Sequence, residues 1–197
     1  MIPRMGHTLR TFVAVRCSEH VCARIRETAE RLRRLDGALR PPRTDDFHVT
    51  LQFLGDTNEA DVVPIGKALQ DALTAVSPFA VAYGGLGAFP TPARARVVWA
   101  AARELESPSG AFAALAGAVG AGLDALGFPP ERRAFHPHVT LGRVRRRPSA
   151  ELVAAVEAAQ DLDLGRDEVS EVKLILSDPG SRGYSYVDLT TVALGEG

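Results

Sequence analysis

Residues 47–54 read FHVTLQFL and residues 135–144 read FHPHVTLGRV. In the first stretch Phe47, Val49, Leu51 and Phe53 alternate with His48, Thr50 and Gln52, the period of a strand with one face in a core and one polar face. The tetrapeptide His-Val-Thr-Leu that begins at His48 begins again at His138, ninety positions later. Two copies of one amphipathic strand, each carrying an imidazole and a hydroxyl on the same face, suggest a duplicated unit.

The segments around the two strands support that reading. Ahead of the first, residues 9–15 (LRTFVAV) form an opening strand. Ser18 then caps a helix with Val21, Cys22, Ile25, Ala29, Leu32 and Leu35 on its apolar face, and Gly37 stands at the expected C-terminal cap. Arg24, Arg26, Arg31, Arg33 and Arg34 populate its other face as a solvated surface. Beyond the first motif, Thr57 or Asn58 opens a helix through Val62, Ile65, Leu69, Leu73 and Val76, with Pro64 tolerated near its first turn. Strands follow at 79–86 and 96–102, separated by turn-forming glycines and prolines. Ser107 or Ser109 opens an Ala/Leu-rich helix to Leu126, stopped at Gly127. After the second motif come a helix at 149–160 and strands at 172–176 and 184–192. The expected fold is therefore α+β: two pseudo-symmetric lobes, roughly 1–90 and 91–197, each an antiparallel sheet backed by helices, with a cleft between them and no linker.

Composition bounds the partners. The 197 residues are 46% hydrophobic, enough for a folded core, and 23 Lys plus Arg nearly cancel 24 Asp plus Glu to leave a net charge of −1. A broad electrostatic footprint for nucleic acid is excluded, so any anion must be recognised locally. No apolar run spans a membrane and the amino terminus lacks a signal pattern; the expectation is a soluble, cytoplasmic monomer. The two cysteines, Cys17 and Cys22, fit neither a disulfide framework nor a zinc knuckle and are expected as buried reduced thiols.

The chemistry sits in the repeated motif. His48 with Thr50, and His138 with Thr140, each form a half-site; packed about a pseudo-twofold axis they present two imidazoles and two hydroxyls to one small ligand. Two imidazoles flanking a phosphodiester suit general acid–base hydrolysis, because an unperturbed pKa of about 6.5 allows one neutral and one protonated ring near neutral pH. The hydroxyls can hold non-bridging oxygens. His136 and His138 also form a His-x-His pair, with Asp46 and His48 at the equivalent places. No Cys or Glu cluster completes a coordination set, so the expectation is no metal and no cofactor. His7 and His20 are read as surface residues.

Both motifs, together with RTFVAV, LRPPRTDDFHVTLQFLG, GAFPTPARARVVWA and LSDPGSRGYSYVDL, resemble the 2H phosphoesterases, and within them the RNA 2′,3′-cyclic phosphodiesterases once called 2′-5′ RNA ligases. The resemblance spans nearly the whole chain. It implies metal-independent hydrolysis of RNA or nucleoside 2′,3′-cyclic phosphate ends to 2′-phosphomonoesters. On that resemblance His48 is the proton donor and His138 the acceptor, while Thr50, Thr140 and Arg143 bind phosphate. Strict alternation puts Arg143 on the face opposite His138, and a bulge or strand end at Gly142 would return it to the site. Phe12, Phe53, Tyr184 and Tyr186 are candidates to stack on a base, and Arg145, Arg146 and Arg147 to meet upstream phosphates. Ser177-Asp178 and Leu39-Arg40 depart from the family pattern where base or ribose contacts are made. The alternatives are 2′-5′ joining of RNA ends, hydrolysis of another small cyclic phosphate, and a module that only binds RNA ends.

Overall fold

A computed structural model describes residues 8–42, 46–105, 110–131, 133–180 and 183–195, with the backbone alone at 179, 180, 183 and 184. Their elements run β1 (Thr8–Arg16), α1 (Glu19–Leu35), β2 (Leu39–Arg40), β3 (His48–Asn58), α2 (Val62–Leu73), β4 (Phe79–Phe89), β5 (Val97–Glu104), α3 (Ala111–Asp124), β6 (His138–Val144), α4 (Ala150–Ala158), β7 (Asp163–Val169), β8 (Glu171–Gly180) and β9 (Gly183–Ala193). The nine strands form one curled antiparallel sheet in the order β7-β4-β5-β6-β3-β1-β8-β9, with β2 also paired to β6. This is the expected α+β fold.

The two His-Val-Thr-Leu strands, β3 and β6, lie side by side at the centre, joined by the single register pair Val49 and Val139. On one side of this seam stand β5, β4 and β7; on the other stand β1, β8 and β9. Helices α1 and α4 pack on the β6 side, against β6, β7 and β4, while α2 and α3 pack on the β3 side, against β9 and β3. The lobes therefore do not divide near residue 90. β4 and α1 come from the first half of the chain but complete the β6 lobe; β8, β9 and α3 come from the second half and complete the β3 lobe. Antiparallel pairing explains this: β4 continues through a short connection into β5 and pairs with it directly, so it leaves the lobe of its own repeat.

Local chemistry sets the helix ends. The Ser18 hydroxyl accepts from the Val21 N–H at 3.4 Å, and that of Ser149 accepts from Leu152 at 3.2 Å. Helix α1 does not use Gly37. It stops at Asp36, whose buried carboxylate accepts from the Ala38 and Ser149 N–H groups at 2.8 and 2.7 Å and so ties the end of α1 to the start of α4. Thr57 and Asn58 do not open α2 either. β3 continues to Asn58, and the Thr57 hydroxyl is spent on Thr11 Oγ1 at 2.7 Å across β1, so α2 starts only after a short turn at Glu59–Asp61. Ser107 and Ser109 lie outside the described residues, and Gly110 precedes α3.

One continuous core runs beneath both lobes, including Val13, Val49, Leu51, Leu69, Leu115, Val139 and Leu141, all 5% exposed or less. A second, small cluster of Phe12, Ala14 and Ile175 with Tyr186 lies apart from it. Strand alternation puts Phe12 and Ala14 on the face of β1 opposite Val13 and Val15, so this second cluster marks the face on which His48 and Thr50 stand. Cys17 and Cys22 are buried and free, and burial raises both thiol pKa values.

Candidate active site

The antiparallel register at Val49 and Val139 sets His48 across from Thr140 and Thr50 across from His138, so the two half-sites meet about the seam. All four side chains are half-buried and lie between core-facing valines and leucines. The His48 Nδ1–H donates to the Asp46 carbonyl at 2.9 Å, and that of His138 donates to the His136 carbonyl at 2.6 Å. A carbonyl can only accept, so each ring carries its fixed proton on Nδ1. Among the described residues no hydrogen bond engages Nε2 of either ring, which leaves that atom to take or give a proton.

Both strands break their alternation at the same place. From His48 to Phe53 and from His138 to Arg143 the burial runs half-buried, buried, half-buried, buried, buried, exposed. In β6 the register slips as Trp99 pairs with Thr140 and Val98 with Gly142, leaving Leu141 as the extra residue of a bulge. The break expected at Gly142 is present, and it brings Arg143 to the face of His138 and Thr140. The same slip occurs in β3, where Ala14 pairs with Thr50 and Val13 with Gln52. There it corrects the simple alternation. Gln52 is buried, donating to the carbonyls of Phe128 and Pro129 at 3.0 Å each, and Phe53 turns out to 64% exposure on the His48 face.

The flanks of the two imidazoles differ. His48 packs against Phe12 and Tyr186, with ring centroids 4.8 and 5.2 Å away. Its cross-strand neighbour is Arg16, which donates from Nε and Nη2 to Asp188 at 2.8 and 2.5 Å and stands 3.2 Å from the Asp46 carboxylate without hydrogen-bond alignment. Lys173 adds a contact of 3.2 Å to Asp188. His138 instead pairs across the strands with Ala101 and meets Phe89 and Trp99 at 5.1 and 6.1 Å. Beside it opens a hollow of about 320 Å³ lined by Phe89, Trp99, Ala101, Phe135, His136 and His138. Burial lowers the pKa of both catalytic candidates. The Asp46 carbonyl pulls His48 back up while Arg16 and His138 lower it further, and at His138 the hydrogen-bonded His136 carbonyl pulls up while the His136 ring pushes down.

Of the aromatic candidates, Phe53 is open and Tyr186 half-buried, but Phe12 is 3% exposed and supports His48 from below instead of offering a stacking face. The Tyr184 side chain and His7 lie outside the described residues, and His20 is exposed. Sequence reading missed Phe89, Trp99 and Phe135 as site neighbours. The signal available was register: Trp99 belongs to the strand beside the second motif and pairs with Thr140. Among the described residues no group of three His, Cys, Asp or Glu is arranged to hold a metal ion, and none of the helices is long and apolar enough to cross a membrane.

A curled sheet whose two central strands each carry His-x-Thr about a seam defines the two-histidine phosphoesterase class. The chain belongs to the 2′-5′ RNA ligase superfamily, whose family model matches residues 17–180. It is 30% identical over 187 residues, 94% of this chain and 99% of the other, to a Methanothermobacter thermautotrophicus protein named RNA 2′,3′-cyclic phosphodiesterase. It is 36% identical over 149 residues, 75% of this chain and 82% of the other, to an Aeropyrum pernix protein of the same name. A solved structure from Thermus thermophilus superposes with a TM-score of 0.76 at 27% identity, covering 96% of this chain and all of that one.

Proposed function

We propose that this protein hydrolyses the 2′,3′-cyclic phosphate end of an RNA, or of a nucleoside, to a 2′-phosphomonoester by acid–base catalysis between His48 and His138. The observation that carries the reading is the pair of imidazoles held about one seam, each with Nδ1 bound to a backbone carbonyl and with Nε2 unengaged among the described residues. The names of the archaeal relatives support the same substrate.

In this mechanism neutral His138 takes a proton from water at Nε2 as the water oxygen bonds to phosphorus. The bond from phosphorus to O3′ breaks, and protonated His48 gives its Nε2 proton to the departing O3′. Charge grows on the non-bridging oxygens as the new bond forms. Thr50 and Thr140 donate hydrogen bonds to them, and Arg143, carried to this face by the bulge, adds a fixed positive charge. Phe53 and Tyr186 offer apolar surface to the terminal base on the His48 side. The chain's own groups perform every proton transfer in this scheme.

The test is turnover of an oligonucleotide ending in a 2′,3′-cyclic phosphate, with the product isomer identified. His48→Ala and His138→Ala should each lower kcat by about 10²–10⁴ while the fold, followed by circular dichroism, persists. Near wild-type turnover in either variant overturns the acid–base pair. Activity abolished by EDTA and restored by a divalent cation would replace it with a metal-dependent reaction, and tight binding without turnover would reduce the protein to an RNA-end binding module.

A further inference from the structure

The edge of β6 left open where β3 splays away is filled by the two-residue strand β2, which pairs Leu39 with Val144 and Arg40 with Arg143. Leu39 is fully buried in the core, so alternation turns Arg40 to the other face, the face of Arg143, Thr140 and His138. Directly opposed residues on neighbouring strands have Cβ atoms about 4.5–5.5 Å apart, where like charges destabilise each other. Gly142 holds this arrangement close: a Cβ there would stand 2.8 Å from Leu39 Cδ1 and 3.0 Å from the Arg40 carbonyl.

Two arginines thus occupy directly opposed positions at the end of the face that carries His138 and Thr140. Among the described residues neither meets a carboxylate; Arg40 donates only to the Gly37 carbonyl. Ion pairs do form elsewhere among the described residues, as in Arg16 with Asp188, Arg33 with Glu30 and Arg146 with Asp36. A local repulsion kept beside a phosphate-handling site is relieved by an anion. We propose that Arg40 is the ligand of a second phosphate, the internucleotide diester on the 5′ side of the terminal nucleotide, lying one strand outward from Arg143. The inference rests on the proposed hydrolysis of RNA ends and names its preferred substrate: a cyclic phosphate end with a phosphate upstream, in preference to a bare nucleoside cyclic phosphate.

The experiment compares cytidine 2′,3′-cyclic phosphate, the same compound bearing a 5′-phosphate, and a dinucleotide ending in it, on wild-type protein, Arg40→Gln and Arg40→Lys. Wild type should favour the two phosphorylated substrates in kcat/KM by about threefold to tenfold. Arg40→Gln should bring that ratio to about one and flatten the fall of dinucleotide kcat/KM with salt, and Arg40→Lys should restore part of both. A preference for the 5′-phosphate that equals the preference for the dinucleotide assigns Arg40 to phosphate; a preference for the dinucleotide alone assigns the gain to the extra nucleoside and overturns the proposal. So does an unchanged ratio in Arg40→Gln. Thermal melting confirms that the variants are folded. If wild type turns over none of the three, the hydrolase reading fails on its own. The subsite is then judged by binding of a labelled dinucleotide 2′-phosphate, where equal affinity of wild type and Arg40→Gln overturns it.

Discussion

His48 and His138 are the same residue in the same tetrapeptide, and what separates them is what the neighbouring strands bring up. On β1 the cross-strand position is Arg16, locked to Asp188; on β5 it is Ala101. Both imidazoles are nevertheless shifted below the ordinary value of 6.5, mainly by burial. The species competent for acid–base work has one ring protonated and one neutral, so with both values depressed the free protein reaches it most fully below pH 6.5. We expect kcat/KM, which reports the unbound protein, to peak on the acid side of 6.5. A bound phosphate favours the imidazolium, so kcat should peak at higher pH; coincident profiles would show that the anion does not meet the rings. The stability linkage has a definite sign. Between the folded values and 6.5 the unfolded chain binds more protons, so stability is complete above about 6.5 and is lost as pH falls through the folded values. Urea midpoints should therefore drop with acidification in this window, and less so in His48→Gln. Arg16→Ala removes a cation and leaves the Asp46 carboxylate unopposed beside the ring, while Lys173 still holds Asp188. NMR titration of His48 should then show its pKa rising, and no rise would mean that Arg16 does not act on the imidazole. Identity and spacing made His48 and His138 legible in the sequence; Arg16 was invisible as a neighbour because it lies 32 positions away and meets His48 only through strand register.

At the scale of the element, what the sequence revealed and what it hid turn on one bulge used twice. In β6 the conflict between Arg143 and simple alternation exposed the bulge in advance. In β3 the alternation itself looked regular: Phe53 fitted the apolar series, the resemblance alone offered it as a stacking face, and the paired register accounts for its exposure. β7 was missed for a different reason. Its sequence DLGRDEV is polar and pairs with β4 alone, so a sheet edge supplies the pattern that hydrophobic alternation does not. The wall of the His138 hollow shows how closely strands can constrain a side chain. Trp99 lies over Gly87 on β4, and a Cβ at Gly87 would fall 2.2 Å from its Cζ2, a contact that a side chain cannot make. Gly87→Ala must therefore push the indole out of its seat, with a loss of about 1–3 kcal/mol. Because Trp99 is the single tryptophan of the chain, its fluorescence reports the displacement directly. An unshifted emission maximum together with an unchanged melting temperature would show that the ring adapts without leaving, and would remove Gly87 as the determinant of the hollow.

Across the whole molecule the duplication is read in sequence order but not in space. Each repeat does run strand, helix, His-x-Thr strand, helix, strand, yet β4 crosses into the lobe of β5 and β6 while β8 and β9 return to the lobe of β1 and β3. Periodicity marks where elements begin and end; it carries no information on which of two similar lobes of the sheet a strand joins, because that choice is made by long-range pairing. The exchange has a thermodynamic consequence. A fragment of residues 1–90 would keep β1 paired with β3 but lose β8 from the other edge of β1 and both partners of β4, leaving Phe79, Val81 and Tyr83 without the strands that cover them. A fragment of 91–197 would keep β5 with β6 and β8 with β9 as two ribbons lacking the β1 and β4 that join each to its lobe. Two-stranded ribbons are marginal in water. We expect each fragment alone to lack cooperative thermal unfolding and dispersed amide resonances, and the two mixed to recover both together with any turnover of a cyclic phosphate. Cooperative folding of either fragment alone would mean that the lobes are autonomous after all. The seam would then be an interface between two finished units instead of the middle of one sheet, with His48 and His138 aligned by docking rather than by the single Val49–Val139 pair and the exchanged strands that hold it.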